Sequence, residues 1–150
     1  MTTIVYDHKN KQIAVDGRTT RSDIVCSDNS EKFRFVDGQV WFFTGIAGDQ
    51  QLLVDWFTAG KDKPALVPEC EALVIIDGKV YSNMVAEHGV SCQHELKFDE
   101  SIGSGSKFAL AALDHGKSAK EAVEYAATRD IYSGGKITVF SVETGEVIDE

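Results

Sequence analysis

The chain has 150 residues, of which 43% are hydrophobic; this is the size of one domain, here residues 1–150, with enough apolar surface for a real core. Its 24 acidic and 15 basic side chains give a formal charge of -9, which repels phosphate backbones and anionic lipid and excludes nucleic acid as a partner. No stretch reaches the roughly 18 to 20 apolar residues of a membrane span, and no basic region precedes an apolar block at the N-terminus, so a cytoplasmic protein without membrane contact is expected.

The first strand is expected over Thr2 to Asp7 and a second over Gln12 to Asp16, joined by the polar tip His8-Lys9-Asn10-Lys11 as a hairpin. Lys32 to Val36 reads as a third, with Phe33 and Phe35 on one face and Lys32 and Arg34 on the other. The turn Asp37-Gly38 leads into a buried strand, Val40-Trp41-Phe42-Phe43. From Asp49 the period lengthens: Leu52, Leu53, Trp56 and Phe57 recur at helical spacing up to Gly60.

Lys61 to Pro68 is a polar connection, after which Ala72–Ile76 and Lys79–Tyr81 flank Asp77-Gly78, the strongest short hairpin signal in the chain. Ser91 to Leu96 and Lys97 to Ser101 read as extended. Two helices follow, Ser106 to His115 closed by Gly116, and Ser118 to Arg129, opened by the capping-box pattern Ser118-x-x-Glu121. Their alanines favour close packing. Strands return at Ile137–Phe140 and Glu146–Ile148 around the turn Glu143-Thr144-Gly145. Strands grouped between helices argue an α+β fold of antiparallel sheets with helices on their outer faces.

Chemistry enters at the first strand. Thr2 follows Met1, and methionine aminopeptidases remove Met before small residues, which would leave a threonine with a free α-amine. A hydroxyl alone is a poor nucleophile, but an α-amine with an ordinary pKa of roughly 7.7 to 8.0 accepts its proton at neutral pH. Such a pair needs a nearby cation to tune the amine and the developing alkoxide, and a carboxylate to hold that cation. Asp16, at the end of the strand paired with the one that starts at Thr2, and Lys32, on the face opposite Phe33, are the candidates. Asp130 at the end of a helix opposes the helix dipole, which calls for a local function.

Thr2-Thr3-Ile4-Val5, Asp16-Gly17-Arg18-Thr19-Thr20, Lys32 sixteen residues after Asp16, Gly45-Ile46-Ala47-Gly48, Ile102-Gly103-Ser104-Gly105 and Arg129-Asp130-Ile131-Tyr132-Ser133-Gly134-Gly135 follow one another in this order. In that order and spacing the chain resembles the proteasome β-type subunits and the HslV-like peptidases of the N-terminal nucleophile hydrolase superfamily. The resemblance spans most of the chain. It implies a four-layer αββα sandwich of two antiparallel sheets flanked by helices, and a threonine endopeptidase with Thr2 as nucleophile and its own amine as general base. It implies Lys32 as the electrostatic partner held by Asp16, the Gly45 N–H as oxyanion donor, and Ser104, Asp130 and Ser133 as the polar group that orients the amine. By the same resemblance Thr20 and Ala47 lie on edges that pair with an extended substrate, and Thr19, Ser30 and Arg34 fall near the first specificity pocket.

The implied partners are peptides or unfolded proteins, further copies of the chain in a homo-oligomeric ring of six or seven, single or stacked, and an ATP-driven unfoldase ring. The first hairpin is about two residues tighter than in HslV-like peptidases. The C-terminal motif resembles the proteasomal form and the Met-Thr start the HslV form, which leaves the ring size open. A non-catalytic β-type ring subunit with a capped N-terminus is the alternative.

Other motifs carry less. Gly103-Ser104-Gly105-Ser106-Lys107 departs from a phosphate loop because Phe108 follows the lysine. Asp28-Asn29-Ser30-Glu31 lacks the rest of a calcium loop. His8, His88, His94 and His115 have no ligand spacing, and Cys26, Cys70 and Cys92 no metal or redox spacing. Neither a metal nor a cofactor is expected, and the cysteines read as free thiols of a reducing compartment.

Overall fold

A computed structural model describes residues 1–150. Its strands form two five-stranded antiparallel sheets and a short separate hairpin. The first sheet has the order β10-β1-β2-β11-β12, built from Glu100–Ile102, Ile4–Asp7, Gln12–Val15, Thr138–Ser141 and Val147–Asp149. The second is a meander, β5 to β9, over Phe33–Val36, Gln39–Gly45, Cys70–Ile76, Lys79–Val85 and Ser91–Glu95. Helix α1 covers Gln50–Thr58, α2 Ser106–Asp114 and α3 Ala119–Arg129.

Three apolar cores separate four layers. Ile4, Tyr6, Ile13, Val15 and Phe140 of the first sheet meet Val40, Phe42, Leu73 and Ile75 of the second. On the outer face of the first sheet Val5, Ala14 and Val139 meet Ala109, Ala112, Ala122, Val123 and Ala126 of α2 and α3. On the outer face of the second, Trp41, Phe43, Ala72 and Val74 meet Leu53, Val54 and Trp56 of α1. The period-two alternation of β1, β2 and β6 therefore feeds two cores from one strand. Each fully buried side chain of that size contributes about 1.5–3 kcal/mol. The layering is the αββα sandwich that the resemblance implies.

Local signals act where the sequence puts them. Asp37-Gly38 and Asp77-Gly78 both take positive φ at both positions, the signature of tight hairpins. Ser118 caps α3 with the full reciprocal box to Glu121. Two expectations shift. Lys97 to Asp99 are not strand, because the chain there crosses from β9 in one sheet to β10 in the other, and only Glu100–Ile102 finds a ladder beside β1. A hairpin of β3, Thr19–Arg21, and β4, Ile24–Ser27, stands where none is expected. No helix is long and apolar enough to cross a membrane.

One end of the sandwich gathers the chemistry. There β1 begins, β2 ends at Val15 and β6 at Gly45; β10 runs into α2 and α3 ends near the start of β11. The register Ile4↔Val15, Ile4↔Ile102 and Val15↔Thr138 fixes these ends side by side.

Candidate active site

Asp16 is the organising carboxylate. Fully buried, it accepts from the Thr3 amide at 3.0 Å and the Lys32 ammonium at 2.9 Å through Oδ1. Through Oδ2 it accepts from the Gly134 amide at 2.9 Å and the Arg18 amide at 3.3 Å. Such a set holds both members of a buried ion pair in one geometry, which is what makes a buried pair tolerable. Burial pulls the Lys32 ammonium below its ordinary range, and Asp16 opposes that pull. Lys32 also donates to the Met1 carbonyl at 3.0 Å, so it stands at the head of β1 beside Thr2.

A second network lies on the other side of the same chain end. Asp130 ends α3 in an extended conformation and is nearly buried. Its Oδ2 receives the hydroxyls of Ser104 and Ser133, and its Oδ1 the Tyr132 amide at 3.2 Å. Each serine has one proton to give, and the carboxylate can only accept. Ser104 Oγ therefore accepts from the Thr2 N–H at 3.3 Å, and Ser133 Oγ accepts from Thr3 Oγ1 at 2.6 Å. The two threonines are thus tethered to one carboxylate through two serines. Ser104 does not cap α2: Gly105 is that N-cap, without a side-chain bond.

Gly45 closes β6 at φ +111, and a Cβ there would sit 2.6 Å from the Glu69 carbonyl. Only glycine fits. Phe43 N–H bonds the Lys32 carbonyl while Ile46 N–H bonds the Glu69 carbonyl. By ladder alternation the Gly45 N–H therefore faces the β5 side, beyond the point where β5 starts, toward Lys32 and the head of β1. Gly103, also at positive φ, brings its backbone against the Thr2 carbonyl where a side chain would collide.

A cleft of about 660 Å³ runs past this group. Thr2, Lys32, Gly45, Thr19, Thr20, Ser30 and Ala47 all line it, Thr20 from strand β3 but Ala47 from a 3-10 turn, Ala47–Asp49, and not from the strand edge expected, because β6 ends at Gly45; Thr19 Oγ1 donates to Ser30 Oγ at 2.7 Å. Arg34 does not line it; its guanidinium lies 5.5 Å over the ring of Phe43, which does. The strand partner Trp41 draws Arg34 to the α1 face of the sheet. The structure thus brings together all seven residues expected to carry catalysis and four of the five expected to bind substrate. Sequence reasoning missed Thr3 as the partner of Ser133, and Phe43, Gln50, Glu69 and Tyr132 in the cleft wall. Phe43 was accessible, since it shares a face with Gly45 two residues on; Glu69, in an irregular segment, gave no signal.

The arrangement contains a hydroxyl at a chain end, a buried cation beside it, a backbone donor across the cleft and a relay of hydroxyls to a carboxylate. No group of three His, Cys, Asp or Glu side chains gathers to hold a metal ion.

No protein-family model and no curated protein matches the sequence. Solved structures do match. A eukaryotic HslV from Trypanosoma brucei is 21% identical with a TM-score of 0.72, the match covering 99% of this chain and 100% of that one. The Thiobacillus denitrificans BPH in complex with epoxomicin is 21% identical with a TM-score of 0.69, covering 93% and 97%. The same BPH in a second structure is 21% identical with a TM-score of 0.68, covering 93% and 96%. The chain has the fold of HslV and proteasome-type structures.

Proposed function

We propose that the chain is a threonine endopeptidase that uses Thr2 as nucleophile once cleavage before it has freed its α-amine. The observation that carries this reading is the buried Lys32–Asp16 pair, 2.9 Å apart at the head of β1. Asp16 holds the desolvated ammonium beside the chain-end threonine, which sets a positive charge where a nucleophile and its amine can use it.

In the mechanism that follows, the amine takes the proton of Thr2 Oγ as the oxygen attacks the substrate carbonyl. The carbonyl oxygen becomes an oxyanion facing the Gly45 N–H. Collapse breaks the C–N bond, the ammonium returns the proton to the departing nitrogen, and an ester to Thr2 remains. Water, deprotonated by the same amine, then attacks the ester and breaks its bond to Thr2 Oγ, which takes the proton back from the ammonium as the acid leaves. Ser104, bonded to the Thr2 nitrogen and to Asp130, fixes the amine's position throughout. Lys32 keeps the amine unprotonated by its charge.

The Thiobacillus protein of the same fold is held in complex with epoxomicin, which supplies the test. Chain lacking Met1 is expected to gain the mass of epoxomicin and to hydrolyse an unfolded protein, whereas Thr2→Ala does neither. Met1-free protein that shows neither adduct nor hydrolysis, alone or assembled, sinks the proposal. The second reading, a non-catalytic subunit with a capped end, draws on one observation: with Met1 attached, Lys32 is engaged by the Met1 carbonyl and the Thr2 nitrogen is an amide.

The fold likeness to HslV also supports assembly into a homo-oligomeric ring, with exposed Ile24, Val25 and Phe35 available for contacts between copies. Native mass spectrometry reads the copy number, with six and seven as the alternatives. Delivery of substrate by an ATP-driven unfoldase rests on the resemblance, and is tested by whether folded substrates are spared until such a partner is added.

A further inference from the structure

Gly45, Glu69 and Met1 border two cavities. On the β3 side is the cleft described above; on the other, a second cavity of about 440 Å³ opens between the ends of β6, β7 and β8 and the turn at Gly103-Ser104. Its wall mixes the apolar Met84 and Val85 with two carboxylates, Glu69 and Glu71. Neither carboxylate belongs to any of the chain's six ion pairs. Lys32, the cation of the site, is committed to Asp16. Burial first, and Glu100 second, push the Glu71 carboxyl above its ordinary range. An unpaired, half-buried carboxylate beside another acid is an arrangement that a cation relieves.

The chemistry assigns a direction to the two cavities. The acyl half of an extended substrate needs a strand edge, and Thr19 and Thr20 of β3 offer one in the larger cleft. The departing nitrogen must receive its proton from the Thr2 amine. Ser104, which holds the Thr2 nitrogen, lines the second cavity and not the first. The departing half therefore leaves on the Glu71 side.

Resting on the peptidase reading above, we propose that this second cavity receives the first residue of the departing peptide and selects lysine or arginine there. The carbon stem lies along Met84 and the cationic head meets Glu71, with Glu69 at the rim. An acidic residue at the same place meets two unpaired carboxylates and is rejected.

The test separates this from catalysis by reading binding in a protein that cannot react. Met1-free Thr2→Ala protein is titrated by calorimetry with lysyl-alanyl-alanine amide and with its norleucyl counterpart, which has the same stem without the charge. The lysyl peptide is expected to bind about tenfold tighter, the worth of one charge-assisted hydrogen bond. That preference is expected to fall toward unity when Glu71→Gln is added, to shrink with Glu69→Gln, and to weaken with added salt. Thermal unfolding checks that Glu71→Gln remains folded, and Glu69→Gln at the exposed rim decides the matter if it does not. Equal binding of the two peptides, or a preference indifferent to both substitutions, overturns the proposal. A preserved preference in the Thr2→Ala protein, together with a Met1-free chain that keeps Thr2 yet never reacts with epoxomicin, overturns the peptidase reading and leaves the cavity's charge selection standing.

Discussion

Ser104 and Ser133 donate to the same oxygen of Asp130, each across 2.6 Å, and link it to Thr2 and Thr3 respectively. Ser133 is fully buried and Ser104 is open to the second cavity. The two substitutions should therefore separate. Ser133→Ala strips a buried acceptor from Thr3 Oγ1 and a donor from Asp130, and should lower unfolding free energy by about 1–3 kcal/mol. Ser104→Ala should cost less stability, yet remove the group that positions the Thr2 nitrogen. Urea unfolding beside epoxomicin labelling rates should show the first variant worse in stability and the second worse in labelling.

Removing the cation of the buried pair is the harsher change. Lys32→Met leaves Asp16 with its backbone donors but without the charge that balances it, and is expected to cost about 3–5 kcal/mol. The urea midpoint should drop accordingly. A midpoint within experimental error of the parent would mean that Asp16 takes up a proton at no cost in this site.

Gly45→Ala places a Cβ at a left-handed φ against the Glu69 carbonyl. The backbone conformation alone should cost about 1–3 kcal/mol, and any relaxation turns the Gly45 N–H away from the cleft, with a loss of about 10²–10³ in turnover. Gly48→Ala is the control, since a Cβ there meets nothing within 4 Å; it should stay within about 1 kcal/mol of the parent.

Glu71 makes a signed prediction about pH. Its carboxyl is raised above 4.5 in the folded chain, so between 4.5 and the folded value the native state holds a proton that the unfolded state has lost. Stability on this account is greatest below that window and falls as pH rises through it. Thermal unfolding from acid to neutral pH should show a decline that Glu71→Gln flattens, with the variant more stable at neutral pH. A variant that follows the parent curve throughout would remove Glu71 from the explanation.

Much of this was legible because several local signals agreed. Val40–Phe43 is an unbroken apolar run bounded by a turn, Asp77-Gly78 forces one turn, and Ser118 with Glu121 starts one helix, so tertiary packing had no conflict to resolve. The β3–β4 hairpin was not legible, because its turn uses Ser22 at positive φ without a glycine and its Ile24 and Val25 face outward, where no buried face imposes alternation. Strand pairing placed Asp16 beside Thr2, and Lys32 joined it through the resemblance, since the two charges come from different sheets. Glu71 was not legible: its neighbour Glu100 is 29 residues away in the other sheet, and only the closed sandwich brings the two together.

That closure has a consequence for whether the site exists at all. Asp16 follows β2 in one sheet, and Lys32 precedes β5 in the other. Neither sheet alone contains both charges, so the Lys32–Asp16 pair is a product of the contact between the sheets and not of either one. Any change that loosens the packing of one sheet on the other therefore reaches the ion pair directly, however far from it the change is made.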